Sequence, residues 1–421
     1  MHSRNWCTGV FLAFDEKTQD QAFAGVKVLD FCWVAIGPMT TRYLADHGAT
    51  VVRVESKHRP GSLRRVGPYA EGEQGINRSG YYANYNSNKY SLSLNMVLPE
   101  ARDLVKRFVS WADIITENFT PGTMEDWGLG YQDLRKINPS IIMFSASMLG
   151  RGGPRERQPG FGPVLGSLAG FVNLTGWADR SPVPPYGAYT DFFLPRFAIP
   201  SIVAALDYKY RTGNGQHLDM SQLEASMQFI IPSLLDYTVN SHIATRDGNR
   251  SLSAAPYSVY PCTGKDRWCA IAVETDQEWE SLCQIMGSPP WCKEDRFATF
   301  LARKDNEEAL NQHIAHWTSG FESRELMQLL QQAGVPSGEI ERPEDLFSDP
   351  QLNHREHFVF LDHPEMGKHS IDGTEFQLSS TPAQYKSSAP LLGQHTEYAL
   401  KNFLNMSTAE IQELMSKGVL E

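Results

Sequence analysis

The sequence predicts an α/β protein: a large domain on a parallel sheet, a smaller domain inserted after it, and a C-terminal return. Three observations predict this. An apolar strand, a helix and a second apolar strand follow one another within residues 26–55, the order that builds a parallel pair. The same order recurs over 99–147. The chain has 421 residues, more than one ordinary core organises.

The elements justify themselves in turn. VKVLDF (26–31) is a run of buried-strand residues. Gly37 and Pro38 turn the chain, and MTTRYLADHG reads as a helix stopped at Gly48. ATVVRVE (49–55) is the second strand, ending in Glu55. Residues 99–113 place Leu104, Phe108 and Trp111 on one helical face, 114–119 is a strand running into a turn, 123–139 is helical, and 140–147 is a strand. Residues 148–163 form a loop rich in glycine and proline. A long apolar helix covers about 194–211, followed by a turn and a strand in GNGQHLDMS. After about 245 the pattern changes to strands around Gly264, helical segments at 276–286 and 306–333, a strand entry in 331–340, short strands over 355–386 and a helical tail at 394–417. The expected division is an N-terminal extension 1–23, a large domain 24–244, a small domain 245–345 and a return 346–421.

Composition excludes several classes. Hydrophobic residues are 41% and charged residues 21%, with a net charge of −11, which disfavours a nucleic-acid binder. No stretch approaches the roughly 18 consecutive apolar residues of a membrane span. The apolar run 9–14 is short and meets Asp15, Glu16 and Lys17, unlike a secretory leader. The expectation is a cytoplasmic protein that does not engage membranes. Six scattered cysteines show neither zinc spacing nor a disulfide framework, so no metal is expected.

The first strand–helix–strand unit invites a dinucleotide reading, with Glu55 where a ribose-binding acid would sit. FCWVAIGPM offers one glycine where that fingerprint needs three, and no phosphate loop of the Walker type is present. The basic run is more informative. A phosphate-rich ligand over these strand ends would meet Arg53, Lys57, Arg59, Arg64 and Arg65, with Lys89 joining from the next segment. A solvated basic loop would show the same run.

Several stretches, in collinear order from about residue 24 to the end, together resemble one family. They are GVKVLDF with VAxGP (25–38), LADHGATVVRVE (44–55), NSNKYSLSLN (86–95), ADIITENFTPG (112–122), INPSII (137–142), GxGGP (150–154), RTGNGQHLDMS (211–221), DPQLNHR (349–355) and PLLGQHT (390–396). The family is the class III CoA-transferases, of the formyl-CoA and carnitine CoA-transferase type. The resemblance implies a Rossmann-like large domain built from both chain ends and a smaller α+β domain. It also implies ring-shaped subunits threaded through each other in an interlocked dimer. Acyl-CoA thioesters and carboxylic acids would be substrates, with no permanently bound cofactor.

The resemblance places the catalytic aspartate at Asp191, in PPYGAYTDFF. Asp191 would attack the thioester to give a mixed anhydride and then an aspartyl-CoA thioester. The glycine loop, with Gly152 and Gly153, and Gly160 to Gly162 would supply backbone N–H groups and mobility. Carried over by position, Val34 and Ala35 lie beside the adenine or phosphates, Lys89 is a basic contact, and Asn118 and Phe119 form the E-N-F turn. Phe161, Tyr186, Tyr189 and Phe192 either wall an acceptor pocket or are core aromatics. Asp191 read without the family is a helix N-cap.

Three positions depart from the family: Ser56 replaces a common basic residue, Asp126 an arginine, and Pro195 a glycine. Phe161 stands where racemases of the same superfamily carry a proton-shuttling histidine, which disfavours racemisation. The sequence also fits one subunit of a heteromeric transferase, or a plain CoA-binding module, although retention of Asp191 argues against an inactive subunit. TDFxxPRFA (190–198) and LLDYTVN (234–240) resemble the benzylsuccinate CoA-transferase branch. That branch implies a succinyl-CoA donor and an aromatic or dicarboxylic acceptor.

Overall fold

The computed structural model describes residues 21–421. Cys7 and nearly all of the 1–23 extension lie outside the described residues. The described chain divides into two compact units: 21–172 with 184–243 and 355–421, and 173–183 with 244–354.

The larger unit is built on six strands: β1 (Lys27–Asp30), β2 (Thr50–Glu55), β3 (Tyr90–Ser93), β4 (Ile114–Glu117), β5 (Ile142–Ser147) and β6 (His217–Ser221). They pair in the order β3-β2-β1-β4-β5-β6, every pair parallel. Successive residues on a strand face opposite layers. Leu29, Val52, Ile115 and Met143 enter one core with the helix Pro99–Trp111, while Val28, Val51, Ile114 and Phe144 enter the other with α1 (Ile36–Asp46) and the helix Pro195–Thr212. The C-terminal return adds the helices Thr396–Leu404 and Thr408–Ser416 to the first core. It contributes a single bridge, Leu94 to Leu420, rather than a strand of the sheet.

The smaller unit carries an antiparallel three-stranded sheet, Tyr257–Pro261, Trp268–Ala272 and Ser337–Glu339. Its core gathers Tyr260, Ile271, Trp279, Phe297, Leu310 and Leu326. The helical reading of 306–333 resolves into two helices, Glu307–Thr318 and Ser323–Gln332, interrupted at Ser319–Phe321. Residues 123–139 likewise split into Thr123–Asp126 and Tyr131–Ile137, with Gly128 at positive φ between them.

Candidate active site

Strand order reverses between β1 and β4, and in doubly wound sheets the crevice at that point receives ligands. Asn118 bridges the two turns that leave these strands. Its Oδ1 accepts from the Trp33 N–H at 3.0 Å, and its Nδ2 donates to the Val34 carbonyl at 2.8 Å. Two cavities open near this bridge. The larger, about 460 Å³, is lined by Trp33, Ser56, His58, Arg59, Arg102 and Trp127, among others. The smaller, about 180 Å³, is lined by Val34, Ile36, Asn118, Ser147, Phe161 and Asp191, among others. Trp33, Phe119 and Thr120 border both.

The larger cavity has the charge for a phosphorylated ligand. Arg59 lies over the Trp33 ring at 5.4 Å. Arg102 spends two donors on the Met96 and Val97 carbonyls and has no acidic partner among the described residues.

Asp191 closes the smaller cavity. It lies inside the short helix Tyr189–Phe193, whose N-cap is Ala188, so it is not an N-cap. Its residue is 5% exposed. Burial pushes its carboxyl up to about 6, partly opposed by the Gly162 N–H that donates to it. The fit with Gly162 is close: a Cβ there would stand 2.4 Å from the Ala188 Cβ and 2.9 Å from Asp191 Oδ2. Tyr81 faces the same carboxylate. Burial first, and the Asp191 charge second, push its phenol up to about 12. Ser147 reaches this cavity with a buried hydroxyl that has no partner among the described residues.

Ala35 sits between Val34 and Ile36 as the N-cap of α1, with φ of 29°. A non-glycine residue rarely occupies that region, and such strain concentrates at functional sites. Ile36, the first residue of α1, brings a helix N-terminus to the smaller cavity, where it favours negative charge.

The structure therefore brings Val34, Asn118, Phe119, Phe161 and Asp191 together and distributes the other expected residues differently. Lys89 is fully buried, donating to Asn86 Oδ1, Thr41 Oγ1 and the Pro38 carbonyl and pairing with Asp30 at 3.5 Å. It faces a carboxylate inside the protein, which removes it as a phosphate contact. Arg53 borders the larger cavity, but its charge is balanced by Asp30 and Glu55. Glu55 is in turn held by Arg64, Tyr82 and Ser91, so it is not free for a ribose. Lys57 and Arg65 are exposed and line neither cavity.

Gly152 and Gly153 lie in an exposed turn and line neither cavity, and the Gly152 N–H is taken by Glu156 at 2.6 Å. Gly160, from the other end of the loop, lines the smaller cavity. Ala35 is buried and lines neither cavity. Tyr189 packs on Phe171 and Phe193, and Phe192 on Tyr81; neither borders the cavities. Phe161 is 69% exposed at the rim of the smaller one. Sequence reasoning did not single out Trp33, Arg102, Tyr81 or Ser147, which are separated along the chain and carry no motif.

Fold and site define a doubly wound α/β protein with two cavities near the switch point that share Trp33, Phe119 and Thr120, the smaller lined by a buried carboxylate. The family model for CoA-transferase family III matches residues 23–396. The chain is 31% identical over 395 residues to succinyl-CoA–D-citramalate CoA-transferase of Chloroflexus aurantiacus, covering 94% of this chain and 97% of that one. It is 30% identical over 397 residues to the succinyl-CoA:glutarate CoA-transferase of Homo sapiens, covering 94% of this chain and 89% of that one. Among solved structures, a CAIB/BAIF family protein from Brucella suis superposes with a TM-score of 0.84 at 29% identity, covering 91% of this chain and all of that one.

The chain belongs to CoA-transferase family III and is a CoA-transferase. Among the described residues, no helix is long and apolar enough to cross a membrane.

Proposed function

We propose that this enzyme moves CoA from succinyl-CoA to a second, short dicarboxylic acid through covalent intermediates on Asp191. The observation that carries the reading is the position of Asp191: a desolvated carboxylate in a cavity that shares Trp33, Phe119 and Thr120 with a larger one, where Arg59 and Arg102 have no acidic partner among the described residues. The adenosine phosphates fit the larger cavity beside Arg59 and Arg102. The pantetheine arm passes Trp33, Phe119 and Thr120, and the thioester reaches Asp191.

The reaction balances without proton transfer. The Asp191 carboxylate attacks the thioester carbonyl, and the C–S bond breaks to give a mixed anhydride and CoA thiolate. The thiolate attacks the Asp191 carbonyl and expels succinate, leaving an aspartyl-CoA thioester. The acceptor carboxylate attacks that thioester and again releases thiolate. The thiolate takes the acyl group of the acceptor and restores the Asp191 carboxylate. Burial makes the carboxylate a better nucleophile by stripping its water, and it keeps water from the intermediates. The Gly162 N–H holds the carboxylate in place.

The acceptor class follows the names of the relatives, citramalate and glutarate being dicarboxylic acids. The chain acts as an interlocked homodimer, with Asp191 in each subunit. Intact-mass spectrometry after mixing with succinyl-CoA tests the mechanism: a CoA-sized adduct on wild type, absent from Asp191→Ala, is expected. A panel of dicarboxylic acids, including benzylsuccinate, tests the acceptor. No CoA product with any of them would sink the reading.

A further inference from the structure

The carboxyl edge of the sheet carries three buried acids, Asp30, Glu55 and Glu117, at the ends of β1, β2 and β4. Each has a counter-cation. Asp30 faces Lys89 and Arg53, and Glu55 faces Arg53 and Arg64. The third pair differs in kind, because its cation, Arg151, lies in the glycine-rich segment 148–162. That segment lines the Asp191 cavity with Met148, Glu156 and Gln158 to Phe161.

Arg151 reaches four elements. Its Nη2 donates to Glu117 Oε1 at 2.7 Å and approaches Ser145 Oγ at 3.4 Å. Its Nη1 donates to Glu125 Oε1 at 2.8 Å, and its backbone N–H donates to Asp219 Oδ2 at 3.1 Å. The chain just before it is fitted to the sheet. Gly150 has φ of +78°, and a Cβ there would lie 3.1 Å from the Ser221 Cβ.

The other oxygen of Glu117 accepts the Phe119 N–H at 2.8 Å. Arg151 is thus linked through Glu117 to the Asn118–Phe119 turn that borders both cavities. Beyond Arg151 the segment is held by short-range bonds, Gly152 N–H to Glu156, Glu156 N–H to the Gly153 carbonyl and Gln158 N–H to the Arg155 carbonyl. A solvent-facing stretch with local bonds alone opens readily. Charge-assisted bonds to buried acids are the strong kind.

We propose that Arg151 is a positioning residue that clamps segment 148–162 onto the β4 turn and so sets how much activated acyl group is lost to water. The proposal rests on the reading that Asp191 carries that group. Anhydride and thioester intermediates survive only while water is excluded.

The test compares wild type, Arg151→Met, Arg151→Lys and Glu125→Gln as full-length proteins. Glu125→Gln removes one arm of the clamp at a half-exposed partner and leaves no buried charge unpaired. Two readouts are taken: the ratio of succinyl-CoA hydrolysis to CoA transfer, and the rate of trypsin cleavage after Arg155 and Arg157. In Arg151→Met the hydrolysis-to-transfer ratio rises roughly tenfold and kcat for transfer falls, while KM for succinyl-CoA moves by less than about threefold. Cleavage accelerates by about fivefold or more. Glu125→Gln lies between, and Arg151→Lys recovers part of the loss.

Unchanged ratio and cleavage in Arg151→Met and Glu125→Gln would overturn the proposal. So would activity lost in proportion to folded protein with the ratio unaltered. A wild type that transfers no CoA sinks the functional reading instead, and the cleavage rates then still decide whether the clamp exists.

Discussion

Replacing Asp191 with asparagine separates catalysis from stability. The Asp191 carboxyl sits at about 6 in the folded protein, against 3.8 for an unperturbed aspartate. The folded state therefore binds this proton more tightly than the unfolded chain does. By linkage, stability contributed by the protonated form is present below 3.8 and is lost as pH rises through about 6. At 1.36 kcal/mol per unit, the full loss is about 3 kcal/mol. Roughly half of it is present at pH 5 and nearly all at pH 8. Asparagine keeps the shape, still accepts the Gly162 N–H and carries no charge. Asp191→Asn should therefore abolish transfer and stabilise the larger unit, by up to about 3 kcal/mol at pH 8 and about half that at pH 5. Urea unfolding at the two pH values, followed by fluorescence of Trp33, Trp111 and Trp127, reads the difference. A stabilisation independent of pH, or a loss of stability at pH 8, would refute the desolvation argument. Retained turnover would refute the site.

Transfer by wild type should rise with pH through about 6, because the nucleophile is the ionised carboxylate; a kcat/KM profile from pH 5 to 8 checks this. Gly162→Ala should lose transfer by a factor of roughly 100 or more, since the added carbon meets Ala188 and the nucleophile itself; initial rates measure it. Arg59→Ala and Arg102→Ala should each raise KM for succinyl-CoA about tenfold with kcat little changed, by loss of a charge-assisted contact, and the difference should shrink at high salt. Lys89→Met should destabilise the fold by up to about 3–5 kcal/mol, because it removes one of the two cations that balance the buried Asp30 and leaves Arg53 shared with Glu55, and any protein that folds should keep its KM for succinyl-CoA.

Strands β1, β2 and β4 were legible because their two faces are both apolar: Val28 with Leu29, Val51 with Val52 and Ile114 with Ile115 signal burial on both sides, which a parallel sheet requires, whereas β3 (Tyr90–Ser93), with serines at two of its four positions, was not read as a strand. The helices Gln222–Met227 and Ile231–Asn240 were not read. The second exposes Leu235, Tyr237 and Val239 and so lacks the single apolar stripe that marks a surface helix. Asp191 and a backbone N–H from the Gly160–Gly162 stretch were found through the family resemblance, whereas the close approach of Gly162 to Ala188 and Asp191 Oδ2 is something only coordinates reveal.

The basic residues were harder to sort, and the reason is electrostatic. A cation at a strand end has two possible employments, neutralising a buried acid or meeting a ligand, and its position in the sequence is the same for both. Lys89 and Asp30 are 59 residues apart, so the pairing is invisible locally. The acids themselves carry the missing information. A buried carboxylate without a counter-ion is costly, so Asp30, Glu55 and Glu117 at consecutive strand ends demand cations before any ligand does. Lys89, Arg53, Arg64 and Arg151 meet that demand. Arg59 and Arg102 border the larger cavity with no acidic partner among the described residues. They hold the charge left over, and a polyanionic substrate has to be gripped by charge that is left over.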